Sequence, residues 1–256
     1  MTDKNDKRGA PCIYDYICEN GGATLRHVFP QKPLEDFTVP STLGGLPVTA
    51  LGDELFSGIT SLTSVIIPDS VTTIEGSAFA KCVNLKSVTL PKHLREIKAF
   101  AFSGCQSLKQ ITLPPRIQAI REYAFSKCKS LEEIVIPEGV TVIEDSAFSK
   151  CRSLRSVQIP DSVMTLGANA FYSCSRLTSI TMPPNVIYIG NQAFENCTSL
   201  KDINVPETVS VMGQYVFAGC TSLEDVRFPE RFQHLLDDVS LNLEMNDDMD
   251  TDVEIS

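Results

Sequence analysis

The stretch "AFSKCKSLEEIVIPEGVTVIEDSAFSKC", residues 124–151, begins and ends with the same five letters. Cys128 and Cys151 close the two pentapeptides and lie 23 residues apart. The same step connects every cysteine in the middle of the chain, at positions 82, 105, 128, 151, 174, 197 and 220. A fixed period of this length indicates an array of stacked structural units, so the repeat decides the fold.

Three other residue types recur with the same 23-residue step. These are proline from Pro68 to Pro229, phenylalanine from Phe79 to Phe217 and leucine from Leu62 to Leu223. Four residue types in one phase over some 160 residues cannot arise by chance. Each unit therefore places the same side chains in equivalent structural positions.

One unit divides into three local patterns. "LTSVIIP", residues 62–68, alternates around Val65 and Ile67 and is rich in β-branched residues, which predicts a short strand ended by Pro68. "VTTIEG", residues 71–76, predicts a second short extended segment. "SAFAKC", residues 77–82, predicts a single helical turn, of α or 3₁₀ type, that directs Phe79 and Cys82 inward.

No single 23-residue unit can bury its own apolar side chains. Stacking equivalent units buries all of them in continuous columns, with neighbouring parallel strands about 4.8 Å apart. The predicted fold class is therefore an α/β repeat solenoid. The recurring cysteine is then one member of a stacked column.

The elements L-x-x-V-x-I-P, V-x-x-I and A-F-x-x-C closely resemble the BspA-like leucine-rich repeat family from Leu62 to Pro229. The resemblance implies a right-handed superhelix with a parallel β-sheet on the concave face and short helical turns or strands on the other side. The sequence departs from the family where glycine often follows V-x-x-I, since Glu75, Lys98, Arg121 and Glu144 precede the glycines of the later repeats.

Three regions are predicted along the chain. Residues 1–60 hold an N-terminal β-hairpin cap, signalled by Glu19-Asn20-Gly21-Gly22, and an atypical first repeat. In that repeat Phe56 keeps the phenylalanine phase, whereas Ile59 replaces cysteine. Residues 61–235 form the regular repeats. Residues 236–256 form a remnant of a C-terminal cap and an acidic tail with too few apolar groups to order itself.

The net charge of −10 is concentrated near the C-terminal end of the sequence. Residues 235–256 hold eight acidic residues and no Lys or Arg, so all 22 basic residues and 24 of the 32 acidic ones lie elsewhere. A nearly neutral body does not have the basic footprint of a nucleic-acid-binding protein. No apolar run is long enough for a membrane span.

The first residues, "MTDKNDKRGAPC", do not contain the apolar core of a signal peptide. As written, the chain is therefore expected in the cytoplasm. The family resemblance implies instead a cell-surface or secreted protein, if the sequence is a trimmed one.

The cysteines and histidines predict neither an enzyme nor a metal site nor a bound cofactor. The seven repeat cysteines are expected to be buried reduced thiols, because zinc ligands come in close pairs that are absent here. Cys12 and Cys18 lie about 20 Å apart along one extended strand and cannot bridge each other. His27, His93 and His234 are too widely separated along a rod to converge on one substrate.

The outward positions of the first strand of each unit predict a continuous polar face. The possible partner contacts on it are Ser64, Ile66, Ser87, Thr89, Gln110, Thr112, Glu133, Val135, Ser156, Gln158, Ser179, Thr181, Asp202 and Asn204. Two interpretations stay open. Serine and threonine suit any exposed sheet, and solenoids also bind partners on an extended face. The face has no Trp, Tyr or Arg before Arg227 to anchor a partner.

A second surface is basic. Lys127, Lys129, Lys150 and Arg152 flank two of the cysteines, and Lys81 extends the group. These charges form either a solvated face or a docking site for the chain's own acidic tail.

The sequence therefore predicts a monomeric, non-catalytic module that binds a protein partner. The family resemblance implies an adhesin-like role in contacts between microbial cells and host surfaces. The alternative is an intracellular scaffold or regulatory module whose acidic tail engages a basic partner.

Overall fold

The computed structural model of the chain describes residues 12–234, and the side chains of residues 14–234. The predicted cap remnant and acidic tail, residues 236–256, lie outside the described residues. So does the side chain of Cys12.

The described chain is built from short strands, with a single 3₁₀ helix at its end. The first strands are β1 Cys12–Glu19, β2 Gly22–Pro30, β3 Asp36–Thr38, β4 Thr42–Leu43 and β5 Leu46–Leu51. The repeats contribute β6 Ser64–Ile66, β7 Thr73–Ile74, β8 Ser87–Thr89, β9 Glu96–Ile97, β10 Ala119–Ile120, β11 Glu133–Val135, β12 Val142–Ile143, β13 Ser156–Gln158, β14 Thr165–Leu166, β15 Tyr188–Ile189, β16 Asp202–Asn204, β17 Val211–Met212, β18 Asp225–Arg227 and the 3₁₀ helix Glu230–Phe232.

The chain opens with an antiparallel hairpin of β1 and β2, which register from Cys12 opposite Pro30 to Glu19 opposite Gly22. Asn20 and Gly21 turn the chain with positive φ angles of 51° and 78°, as such tight turns require. Strand β2 then pairs in parallel with β5, so the hairpin continues directly into the first coil of the repeats.

One sheet runs through the whole described array. It has eleven strands in the order β1-β2-β5-β7-β9-β10-β12-β14-β15-β17, with β4 beside β5. From β5 onward all strands on this path are parallel and come from the second extended segment of each unit, the V-x-x-I pattern. Residues 23 positions apart lie opposite one another, such as Ile97 and Ile120, and both are buried.

The first extended segment of each unit forms shorter sheets. These are β3-β6-β8, β11-β13 and β16-β18, all parallel. The predicted continuous ladder along this segment is therefore interrupted, and the uninterrupted sheet lies in the V-x-x-I segment. The interruptions fall at two repeats that carry a double proline, Pro114-Pro115 and Pro183-Pro184.

The predicted helical turn at each A-F-x-x-C pattern is wrong. In its place is a pair of tight turns in which Ser77 and Lys81 have positive φ angles of 55° and 58°. Residues in this conformation interrupt a right-handed helix. The amides of Phe79 and Lys81 donate to the carbonyls of Ala101 and Ser103 in the next coil, at 2.8 and 2.7 Å. Because these amides bond between coils, the α/β class is corrected to a β-solenoid.

The core is a column of stacked phenylalanines. Phe56, Phe79, Phe102, Phe125, Phe148, Phe171 and Phe194 are fully buried, and neighbouring rings from Phe56 to Phe194 lie 5.0–5.5 Å apart with nearly parallel planes. Phe217 and Phe228 extend the column toward the last described coil. There the guanidinium of Arg231 donates to the carbonyls of Glu207 and Val209 and ties the final coil to the previous one.

The repeat cysteines are buried free thiols, and they also donate hydrogen bonds. The Sγ of Cys151 donates to the carbonyl of Phe125, 26 residues earlier, at 3.1 Å. The six other repeat thiols make the equivalent bond at 3.0–3.2 Å. Burial raises the pKa of Cys128 to about 12 and the pKa of Cys151 well above the ordinary value, so both stay protonated. The thiol is thus a small buried group that also satisfies a core carbonyl.

Candidate binding surface

The predicted contact residues lie on the outer side of the first extended segments. We call these fourteen residues, from Ser64 to Asn204, the docking face. In each strand the middle residue faces inward, and it is buried at Val65 and Ile134 and partly buried at Val88, while its two neighbours point outward. All fourteen are exposed except Ser64, which is half-buried.

Strand register brings several of these residues side by side. In the sheet of β6 and β8, Ser64 lies opposite Ser87 and Ile66 opposite Thr89. In the sheet of β11 and β13, Glu133 lies opposite Ser156 and Val135 opposite Gln158. A single bridge places Ser179 beside Asp202. Gln110 and Thr112 are exposed but belong to no strand. The docking face is therefore a set of paired rows with interruptions.

The interruptions coincide with the two double prolines, Pro114-Pro115 and Pro183-Pro184. At the equivalent position of the coil before the first double proline, the residue after the repeat proline bonds to a neighbouring coil, since Lys92 N–H donates to Asp69 Oδ1 at 3.1 Å. Pro115 has no N–H to donate, and it also restricts the backbone of the proline before it. A coil with a proline at this position therefore cannot form the bond that Lys92 makes.

The N-terminal end of the docking face is already engaged. The hydroxyls of Ser64 and Thr63 donate to Asp36 Oδ1 at 2.6 and 3.1 Å. These bonds lower the pKa of Asp36, with the Ser64 bond the larger cause. Ser64 is therefore bound within the protein, and the free docking face begins at Ile66.

Exposed aromatic residues on the turns were missed by the sequence reasoning. Phe100 and Tyr123 stack with ring centroids 4.6 Å apart and planes 5° apart, and both rings are partly exposed. Their φ angles are 59° and 54°, a conformation that bulky residues rarely adopt. The signal was their position, which directly precedes the A-F pair. Their outward direction follows from the left-handed turn that replaces the expected helix.

A second exposed apolar group lies on and beside the uninterrupted sheet. Met164, Ile187, Tyr188 and Val211 all belong to the later coils, and strand register places Tyr188 beside Val211. In the earlier coils the corresponding region carries charges of both signs. There Arg121 is bound to Glu96 at 3.0 Å and to Glu144 at 2.7 Å. The outer surface of this sheet thus changes from charged to apolar along the solenoid.

The histidines do not converge on one site. His27 Nδ1 lies 3.2 Å from Asp15 Oδ2 in the N-terminal hairpin, while His93 and His234 are exposed in an early repeat and in the last described coil. Within residues 12–234 no three His, Cys, Asp or Glu side chains come together in a way that could hold a metal ion.

A cavity of about 370 Å³ lies beside the first double proline. It is lined by Arg95, Pro115, Arg116, Ile117, Gln118, Glu138 and Gly139. Its lining combines two guanidinium groups with one carboxylate and contains no nucleophile paired with a base. Such a lining can hold a small polar group, and it offers no acid–base pair for catalysis.

No helix in the described part of the chain is both long and apolar enough to cross a bilayer.

Comparison with solved structures finds the same architecture in bacterial proteins. A leucine-rich repeat protein from Bacteroides ovatus ATCC 8483 is 32% identical, with a TM-score of 0.71, over 85% of this chain and 63% of that one. A leucine-rich repeat protein from T. pallidum is 30% identical, with a TM-score of 0.62, over 88% of this chain and 92% of its own. A leucine-rich cell surface protein from Faecalibacterium prausnitzii A2-165 is 28% identical, with a TM-score of 0.68, over 85% of this chain and 75% of its own.

This chain therefore spans less than two thirds of the Bacteroides ovatus chain. No protein of curated function matches it. The family model described as a BspA type leucine-rich repeat region matches residues 25–155 and 118–242, which include every 23-residue coil of the array. One repeat pattern accounts for the coils, the column of phenylalanines and the buried repeat thiols. The chain therefore belongs to the BspA-type leucine-rich repeat family.

Proposed function

We propose that the chain is a non-catalytic module that binds a protein partner through its docking face. The observation that carries the proposal is the contrast between the two sides of the first extended segments. Val65, Ile134 and Ile203 are buried in the core, whereas their outward neighbours present a row of hydroxyl, amide and small apolar groups. Because the backbone beneath this row is fixed by bonds between coils, a partner would meet a preorganised surface.

Two exposed apolar side chains give the docking face its best contact points. Ile66 and Val135 are each more than half exposed and sit among polar neighbours. Arg227, opposite Asn204 in the last strand pair, adds a guanidinium at the C-terminal end of the face. Small apolar contacts inside a polar surround are the composition of a modest, non-obligate interface.

We further propose that the partner lies on a host or neighbouring cell and that the chain acts at a microbial surface. The similarity to the Faecalibacterium prausnitzii cell surface protein supports this role. The second candidate is an intracellular scaffold. It is favoured by the acidic residues 235–256, which carry eight carboxylates without a basic residue and suit a basic partner.

Antibody binding to intact and permeabilised cells of the source organism separates the two candidates. The surface role predicts labelling of intact cells that is lost after brief protease treatment. Labelling that requires permeabilisation would overturn the surface role and favour the scaffold.

The docking face is tested by adding charge to it. Val135→Arg combined with Gln158→Arg should weaken binding of the labelled chain to host cell layers at least about tenfold, since the two residues are neighbours in register. Thr141→Arg, an exposed position outside the docking face, is the matched control and should leave binding unchanged. Equal loss in both variants would place the binding surface elsewhere.

A further inference from the structure

Basic residues stack on basic residues along one edge of the solenoid. We call Lys127, Lys129, Lys150, Arg152 and Arg176 the basic edge. Lys150 follows Lys127 by one 23-residue coil, and Arg152 follows Lys129 by the same step. The amide of Lys127 donates to the carbonyl of Ser149 at 2.7 Å, so the main chains at Lys127 and Lys150 lie in adjacent coils. Like charges are thus held about one strand spacing apart at the backbone.

This arrangement contrasts with the ion pairs of opposite charge that join neighbouring coils elsewhere on the described surface. Lys92 pairs with Asp69 at 2.7 Å and Lys98 pairs with Glu75 at 2.8 Å. Among residues 14–234 no carboxylate forms an ion pair with a residue of the basic edge. Adjacent like charges oppose folding, so a surface that keeps them favours an anionic occupant.

The segment that could supply carboxylates to the basic edge holds most of the excess negative charge of the sequence. Residues 235–256 contain Asp237, Asp238, Glu244, Asp247, Asp248, Asp250, Asp252 and Glu254 and no Lys or Arg. His234, the last described residue, lies between three and four coils beyond Lys150, which corresponds to roughly 14–19 Å along the array. The 13 residues from His234 to Asp247 can span up to about 40 Å, so the carboxylates can reach the basic edge.

We propose that residues 235–256 of this chain dock on the basic edge through ion pairs between their carboxylates and Lys127, Lys129, Lys150, Arg152 and Arg176. Covalent connection keeps the segment at a high effective concentration near the edge, so several individually weak ion pairs suffice. The basic edge directly precedes the strands of the docking face, as Lys129 precedes β11 and Arg152 precedes β13. A docked segment therefore borders the docking face. The proposal does not depend on the identity of any external partner.

Zero-length crosslinking of the full chain with a carbodiimide tests this contact, because it joins a lysine amine only to a carboxylate in direct contact. At about 20 mM salt we expect crosslinks from residues 237–254 to Lys127, Lys129 and Lys150. At 0.5 M salt, where the screening length is about 4–5 Å, we expect at least a tenfold loss. Lys201 is the internal control, since it is exposed, closer to the segment along the array, and one coil away from Glu224.

Charge reversal supplies the matched variants. Lys150→Glu with Arg152→Glu should reduce crosslinks to Lys127 and Lys129 about tenfold, whereas Lys201→Glu should not change them. Equal crosslinking of Lys201 and the basic edge in the unmodified chain, or crosslinks that persist at 0.5 M salt, would overturn the proposal. Crosslinks found mainly between chains in a mixture of ¹⁴N- and ¹⁵N-labelled protein would also overturn it and assign the segment to a second copy.

Discussion

At the scale of single residues, the repeat places two kinds of buried side chain in columns with different tasks. Phe148 contributes a ring that stacks on Phe125 and Phe171 at 5.5 and 5.3 Å. Cys151 contributes a thiol that fills a small space and donates to the carbonyl of Phe125. A ring in the first column excludes water from the core, and a thiol in the second satisfies a polar atom that the ring has buried.

Replacing one ring of the column should destabilise the protein strongly. Phe148→Ala removes a fully buried ring from between two others, and we expect a loss of about 3–5 kcal/mol in the free energy of unfolding. Lys150→Ala, two residues away at the surface edge, should change it by less than about 0.5 kcal/mol. Denaturant titration of both variants measures this difference, and equal effects would show that the ring does not occupy the core position.

The thiol column predicts a loss of stability at alkaline pH. The folded state holds the pKa of Cys128 at about 12, above its ordinary value of 9.0, so the neutral thiol is favoured in the fold. The stability that the neutral thiol contributes to the free energy of unfolding is complete below pH 9. It is lost between pH 9 and about 12, because the thiol ionises in the unfolded chain before it ionises in the folded one. The slope approaches about 1.4 kcal/mol per pH unit for each thiol.

Unfolding free energies measured from pH 8 to 10 check this prediction. Cys128→Ala should be less stable at every pH because the carbonyl of Phe102 loses its thiol donor. Above pH 9, however, its free energy of unfolding should fall less steeply with pH than that of the unmodified chain. The difference in slope should correspond to about one proton. Identical slopes would mean that Cys128 ionises equally in the folded and unfolded states.

At the scale of elements, the contact between successive coils depends on the residue directly after the V-x-x-I pattern. Early coils carry Glu75, Lys98, Arg121 and Glu144 there, and later coils carry Gly167, Gly190 and Gly213. The side chains of the early coils join in ion pairs between coils. The glycines instead allow the backbone of one coil to approach the backbone of the previous coil. One repeat position thus serves two different modes of contact.

A methyl group at Gly190 should therefore be costly. A Cβ there would lie 2.6 Å from the carbonyl carbon of Gly167 and 2.8 Å from the Cα of Ala168, and neither backbone atom can move aside easily. We expect Gly190→Ala to lower the free energy of unfolding by about 2–3 kcal/mol. At Gly76 a Cβ would meet Asp53 Oδ1 at 3.0 Å, the end of a flexible side chain, so Gly76→Ala is the matched control. Similar midpoints for the two variants in denaturant titration would contradict the close approach.

At the scale of the whole molecule, each coil contacts only its neighbours, and the ends should open before the middle. The hairpin of β1 and β2 covers one end of the described array. At the other end Phe228 and Phe232 are the last buried rings. The repeat thiols, one in each coil from Cys82 to Cys220, report the local stability of every coil.

Native-state thiol labelling followed by mass spectrometry should reveal this gradient. Cys18 is exposed and should react at once. Among the repeat thiols Cys220 should react first and Cys197 next, with Cys128 and Cys151 slowest, while all should react rapidly in denaturant. The hairpin should make Cys82 slower than Cys220. One common rate for all seven repeat thiols would show that the array opens as a single cooperative unit.

The 23-residue period determined which side chains face the core. Leu62, Phe79 and Cys82 could be placed inward from sequence, because burial of an apolar side chain depends on its own position within the unit. The same period placed Val135 and Gln158 outward on the docking face. It also led to the resemblance that the family match later confirmed.

The tertiary structure decided what depends on partners one coil away. Hydrogen bonds between coils make the V-x-x-I segment the uninterrupted sheet, whereas two double prolines interrupt the other one. They also draw the segment of Phe79 and Lys81 out of a helix and into left-handed turns, and the equivalent turns direct Phe100 and Tyr123 toward solvent. The sequence of a single unit does not contain the carbonyl to which its turn amides donate. That carbonyl lies about one repeat further along the chain, and it becomes a neighbour only when the coils stack.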